Sequence, residues 1–184
     1  MDNDFIKIPV KTYYLEIFSE GKKEFYDDSK LKIVFQENIS VDIYLDIYKN
    51  VGGNFGWTGR LILEQYLLAN LLKSNKSNVY FLYSENKIAG FYELDFSDIE
   101  NVEITYFGLL PEFYGKGFGT FLINSAKKTA FEKGANRIFL HTCEFDSDGA
   151  LNFYIKSGFS VYQETVDYEY YTQDFINRNV NLSK

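Results

Sequence analysis

The chain has 184 residues but only one cysteine, one histidine and two prolines. One cysteine closes no internal disulfide, so a disulfide scaffold is excluded and a reducing, cytoplasmic setting is expected. One histidine and one cysteine fall short of the three or four ligands of a zinc site, and no calcium-loop spacing of carboxylates occurs, so no metal is expected. No apolar run approaches the ~18 residues of a membrane span. The acidic start Met1-Asp2-Asn3-Asp4 has no basic region, so no signal peptide is expected. Basic residues are the minority as well: 19 Lys and Arg against 26 Asp and Glu give a net charge of −7. That field repels phosphate backbones and argues against nucleic acid, while it favours cationic small molecules or basic peptides.

Apolar residues, by contrast, make up 46% of the chain and aromatic ones 19%, with 16 Tyr and 18 Phe. At this length roughly 70% of the unfolded chain's surface can be buried, so a core packed with Tyr and Phe is expected. No repeat, low-complexity stretch or Pro/Ser-rich linker divides the sequence, which reads as a single domain over 1–184.

Strands are predicted at 9–18 and 31–35, with a polar turn at 21–29 between them. Residues 41–48 read as a helix capped by Ser40 and ended at Gly52-Gly53. A glycine-rich loop at 52–59 carries the one Trp, Trp57, and a second helix is predicted at 61–72. Three apolar segments, 79–83, 87–96 and 102–109, are joined by short polar connectors and read as an antiparallel meander. A glycine-studded turn at 111–119 opens a helix over 118–133 that Gly134 ends. A strand at 137–144, a helix at 148–157 closed by Gly158, and a strand or strand pair at 159–171 follow. The tail 173–184 is polar and expected to fray. The order indicates a mixed α/β (α+β) domain.

The most informative segment is Tyr114-Gly115-Lys116-Gly117-Phe118-Gly119-Thr120. Alternate glycines before a helix allow a tight turn with exposed N–H groups, a setting that suits a pyrophosphate beside the positive end of the helix dipole. A Walker loop is absent. The dinucleotide fingerprint starting at Gly115 and Gly117 would need glycine where Thr120 stands, and a meander precedes it rather than a parallel unit.

This stretch resembles the acetyl-CoA signature of the GNAT superfamily N-acetyltransferases, Arg/Gln-x-x-Gly-x-Gly/Ala, with Tyr114 in place of the usual Arg or Gln. Ala150-Leu151-Asn152-Phe153-Tyr154-Ile155-Lys156-Ser157-Gly158-Phe159 resembles the superfamily's second signature, with Ser147 where an Asn is usual. Residues 10–16, 48–60, 102–113 and His141-Thr142-Cys143 are similar to a little-characterised bacterial subgroup. The resemblance implies a GNAT-type fold, a mixed and mostly antiparallel sheet flanked by helices. It implies an acetyl-CoA part at about 77–165 and an acceptor side at 1–76. The implied acetyl-CoA contacts are Leu109, Leu110, Tyr114, Gly115, Lys116, Gly117, Phe118, Gly119, Thr120, Ser147, Ala150 and Phe153. The implied activity is direct acetyl transfer to a primary amine in a ternary complex, in a protein that is often a homodimer. The departures at Tyr114 and Ser147 also suit a CoA-responsive module without turnover.

Acyl transfer needs a base, because an alkylammonium, with a pKa near ~10, is no nucleophile. Glu103, in an apolar strand where many superfamily members carry a Glu acting through water, is the expected base, and burial would raise its pKa towards neutrality. Tyr154, at the superfamily's Tyr position, is the expected acid toward the CoA sulfur. Trp57, Arg60 and His141 are expected to shape the acceptor site. His141 and Cys143 share a strand face, with Cys143 read as a small core residue rather than a nucleophile. Glu93 and Asp95 are read as a solvated strand face.

Overall fold

The computed structural model describes residues 5–19 and 30–180, so the turn expected at 21–29 lies outside the described residues. Seven strands form one sheet: β1 (Phe5–Phe18), β2 (Leu31–Phe35), β3 (Ser77–Ser84), β4 (Lys87–Asp95), β5 (Asn101–Leu109), β6 (Arg137–Cys143) and β7 (Ser160–Thr172). Their spatial order is β2-β3-β4-β5-β6-β1-β7. Every neighbouring pair is antiparallel except β5 and β6. The helices are α1 (Val41–Gly52), α2 (Gln65–Lys73), α3 (Phe118–Glu132), α4 (Ala150–Lys156) and α5 (Gln173–Asn179). The expected mixed, mostly antiparallel sheet flanked by helices is what forms.

Local chemistry accounts for the boundaries. The β3–β4 hairpin turns on Glu85 and Asn86, both at positive φ, as a tight two-residue turn requires. Ser40 caps α1, its hydroxyl accepting a hydrogen bond from the Ile43 N–H at 3.3 Å. Gly134, at φ +108°, ends α3, and the Ala135 N–H returns to the Ala130 carbonyl at 3.1 Å.

The sheet is covered on both faces. α1 and α2 bring Tyr44, Tyr48, Val51 and Leu68 onto Val79, Phe81 and Phe91. The opposite face receives Leu122, Ile123 and Ala126 of α3 and Tyr154 of α4 on Leu82, Tyr92, Leu94, Val102, Ile104 and Ile138. Alternation along β3 sends Tyr80 and Leu82 one way and Val79 and Phe81 the other, so its stretch 79–82 is buried on both faces.

Two expectations need correction. The second helix starts at Gln65, not at 61, because the Leu61 and Ile62 N–H groups bond back to the Thr58 carbonyl in a turn. Of the strand or strand pair expected after Gly158, the single strand is what forms, paired with β1 over most of its length. The C-terminal segment 173–179 is not frayed but forms α5. Thr172 caps α5, and Phe175 and Ile176 are buried against Val10 and Tyr171. Only two apolar residues carry that helix, too few to show as a periodic stripe.

Because α5 is held by this burial, Phe175→Ala is expected to lower stability by about 3–5 kcal/mol in chemical denaturation. A change within a few tenths of a kcal/mol would mean that α5 contributes nothing to the fold.

Candidate active site

The parallel contact between β5 and β6 is short. Asn101 pairs with Arg137, Val102 with Ile138 and Glu103 with Phe139, and there the pairing ends. β5 nevertheless runs on to Leu109 and β6 to Cys143. β5 stays on β4 instead: a Cβ at Gly90 would overlap the Gly108 carbonyl and lie 2.8 Å from Leu109 Cδ2. A bulge helps turn it away. Glu93 faces Tyr106 and Leu94 faces Ile104, which leaves Thr105 as the extra residue. Into the fork opens a cleft of about 570 Å³, with β5 residues 104–109 forming one wall and His141 and Cys143 part of the other.

One end of the cleft is the glycine loop. Pro111–Phe113 forms a short 3-10 turn, and Gly115 and Gly117 sit at φ +72° and +79°, the left-handed region in which glycine avoids the Cβ penalty. Space above both is open, so backbone conformation, not crowding, selects glycine there. α3 begins with no side-chain cap, leaving first-turn N–H groups for another acceptor. Tyr114, Gly115, Gly117, Gly119 and Thr120 line this end together with Leu109, and Ser147, Ala150 and Phe153 face them from the α4 side. Three expected contacts lie beside the cleft. Lys116 Nζ stands 5.1 Å over the Phe113 ring, Phe118 stacks on that same ring, and Leu110 fills the junction between the two apolar clusters.

Tyr154 lines the cleft where the two strands part, with Phe107, Phe153 and Phe159 around its ring. Burial pushes its phenol pKa far above the ordinary 10.0, so the hydroxyl stays protonated. Glu103 lies behind the cleft, and its Oε1 is 3.6 Å from His141 Nδ1. His141 lines the cleft itself. The Glu103 contact raises the imidazole above its ordinary 6.5, against an opposing effect of burial. Burial pushes the Cys143 thiol up to about 11, which disfavours the thiolate at neutral pH.

Trp57 lines the cleft and is a packed wall residue. Its ring lies against Tyr48 and Tyr106, and a Cβ at Gly52 would overlap it. Arg60 is placed elsewhere. Its guanidinium meets Glu93 Oε1 at 2.5 Å and lies 4.9 Å over the Tyr106 ring. Glu93 is 1% exposed and also accepts hydrogen bonds from the Tyr44 and Ser77 hydroxyls. The reading of Glu93 as part of a solvated face is therefore corrected. β4 is covered on both faces, and its carboxylate persists there because three donors surround it.

Sequence reasoning missed Asp146 and Glu169, which both line the cleft. Asp146 Oδ2 accepts from Thr142 Oγ1 at 2.7 Å and from the Cys143 N–H at 3.0 Å, and Oδ1 accepts from Trp57 Nε1 at 3.5 Å. An Asp just past a strand end was the available signal. Glu169 comes from β7 with no local signal at all. The cleft lining thus combines helix N–H groups at the glycine loop with two carboxylates, Asp146 and Glu169.

Residues 44–159 match the Acetyltransferase (GNAT) family. The chain is 33% identical over 94 residues to the mycothiol acetyltransferase of Corynebacterium efficiens, covering 51% of this chain and 31% of that protein. It thus spans about a third of the length of this curated relative. Among solved structures, an aminoglycoside acetyltransferase from an uncultured soil metagenomic sample superposes with a TM-score of 0.58 at 24% identity, covering 71% of this chain and 88% of that one. A Bacillus subtilis acetyltransferase in complex with CoA superposes with a TM-score of 0.55 at 26% identity, covering 71% and 77%.

Arg60→Ala leaves the Glu93 carboxylate buried without its cation and is expected to destabilise the fold by roughly 3–5 kcal/mol. Urea denaturation of the variant checks this; a loss below about 1 kcal/mol would place the pair in the solvent-screened class.

Proposed function

The chain belongs to the GNAT acetyltransferase family, and we propose that it transfers an acetyl group from acetyl-CoA to a primary amine by direct attack in a ternary complex. The observation that carries this reading is the meeting, in one cleft, of the β5–β6 fork with the left-handed glycine loop and the uncapped start of α3. These residues fit a CoA pyrophosphate. Open space stands above Gly115 and Gly117, and the N–H groups of a 15-residue helix begin there. Leu109, Tyr114, Gly119, Thr120, Ser147, Ala150 and Phe153 would hold the rest of the cosubstrate. Acetyl-CoA, when bound, supplies the activated thioester.

The chain's own groups cover the remaining needs. Tyr154 is protonated and lines the cleft, as a proton donor to a departing thiolate must be. The basic end of the site is Glu103 with His141 against it. Asp146 and Glu169 give the acceptor end a negative potential, and Trp57 and Tyr171 add aromatic surface, so a small cationic amine or a peptide amine suits it. The whole chain, residues 1–184, acts as a single domain in this reading, with 1–76 on the acceptor side.

Thermal unfolding tests the cosubstrate. At 100 times its dissociation constant acetyl-CoA adds about 2.7 kcal/mol, a Tm rise of roughly 5–10 °C for a domain this size. NAD and ATP are expected to give none. Gly117→Val, forced to hold φ near +79°, is expected to lose the shift; an unchanged shift would remove the loop from the proposal.

Thiol release from acetyl-CoA with a panel of amines tests the activity. Tyr154→Phe is expected to lower turnover by about 10²-fold or more with acetyl-CoA affinity nearly unchanged. Lost affinity at unchanged turnover would contradict the acid role.

A further inference from the structure

His141 and Glu103 stand at the fork itself. In the parallel pair, Glu103 sits opposite Phe139, the last paired residue of β6. His141 lies two residues further on, on the same face of β6, where no β5 residue pairs with it. Its imidazole therefore projects at the mouth opened by the divergence, and it lines the cleft, whereas Glu103 lies one step behind. Nδ1 faces the Glu103 carboxylate at 3.6 Å, and the ring of Tyr14, its cross-strand partner on β1, lies 5.8 Å away. Among the described residues no hydrogen bond engages Nε2.

A carboxylate only accepts, so a neutral imidazole facing it at 3.6 Å, a charge contact rather than a hydrogen bond, is favoured with its hydrogen on Nδ1 and its lone pair on Nε2. That is the arrangement of a base oriented by an acid, in which the third group sets tautomer and direction. We propose that His141 Nε2 is the group that takes the proton from the acceptor ammonium, and that Glu103 is the positioning residue that holds the imidazole in the required tautomer. The assignment rests on the acetyl-transfer reading above and divides the labour at its basic end.

The step balances. One proton passes from the ammonium to His141 Nε2 and then to solvent. The amine nitrogen forms its bond to the acetyl carbon as the carbon–sulfur bond breaks. Tyr154 gives a proton to the thiolate and regains the second proton shed by the nitrogen. The groups facing the imidazole are Glu103 from β5, Tyr14 from β1, Asp146 from the turn after β6 and Glu169 from β7; the carboxylates among them all favour the imidazolium. The base is therefore expected to titrate above the ordinary imidazole value, with activity falling as pH drops through that raised pKa.

Since the chain has one histidine, its ring C–H signal in the proton NMR spectrum of untagged protein reports this group alone. Activity is read as thiol release from acetyl-CoA, with spermidine as the ammonium acceptor and hydroxylamine as one already unprotonated at neutral pH. The acid limb of kcat/KM for spermidine should coincide with the NMR titration. In Glu103→Gln both should move to lower pH together. His141→Gln should lose about 10²–10⁴-fold in kcat for spermidine and lose that limb, with a clearly smaller loss for hydroxylamine. An acetyl-CoA Tm shift in each variant shows that it is folded.

A limb that persists in His141→Gln, or an NMR titration unmoved by Glu103→Gln, would overturn the dyad and leave acetyl transfer standing. Wild-type protein that releases no thiol with either acceptor would overturn the acetyl-transfer reading, and this assignment with it.

Discussion

The site depends on a parallel ladder that stops after three residue pairs. β5 and β6 are joined from Asn101–Arg137 to Glu103–Phe139 and then part. Parallel strands sit side by side only when a crossover returns the chain, and α3 is that crossover. Its start is the glycine loop, so one connection both positions β6 and delivers helix N–H groups to the cleft. Beyond Glu103, β5 follows β4, held by the Gly90–Gly108 approach and bent by the Thr105 bulge. A sheet edge is thereby opened inside the molecule, where an extended ligand can lie along it.

Such an opening needs rigid walls. On the α1–α2 face, Tyr44, Tyr48, Trp57 and Tyr106 pack as one aromatic block around the Arg60–Glu93 pair. Desolvation alone would lower the arginine's pKa; the Glu93 charge, with Tyr106 and Tyr44, more than offsets it, so the cation persists. A buried pair of this kind contributes little net stability over an apolar replacement, yet breaking it is costly. Here it ties the turn before α2 to the middle of the sheet. On the other side, Thr58 bonds its hydroxyl to the Tyr170 carbonyl, and α5 packs on Val10 and Tyr171. The long β1–β7 ribbon is thus bound to the cleft wall that carries Trp57.

Much of this was legible locally. The meander from 79 to 109, the Ser40 cap, the glycine turn and the helix it opens all rest on short-range rules of turn chemistry and capping, and they stand within one or two residues of where those rules place them. Most of the expected cosubstrate contacts face one cleft for the same reason, since they cluster in two stretches that begin helices. The exceptions have a common cause. Arg60 and Glu93 sit 33 residues apart and look like surface charges until the fold pairs them. Asp146 and Glu169 reach the cleft from a turn and from the sheet's last strand. Phe175 and Ile176 find their partners on β1 and β7.

By itself, then, the sequence determined most of the elements, α5 excepted, and the backbone features that need particular residues. Only glycine takes φ near +75° at positions 115 and 117 without strain, and only a small capping side chain starts α1 as Ser40 does. Tertiary structure alone decided which charges are buried, where β5 leaves β6, and that Glu103 meets His141 across the fork. Those outcomes depend on contacts between distant segments. Their free energy is set by which side chains share a desolvated space, and no local pattern encodes that.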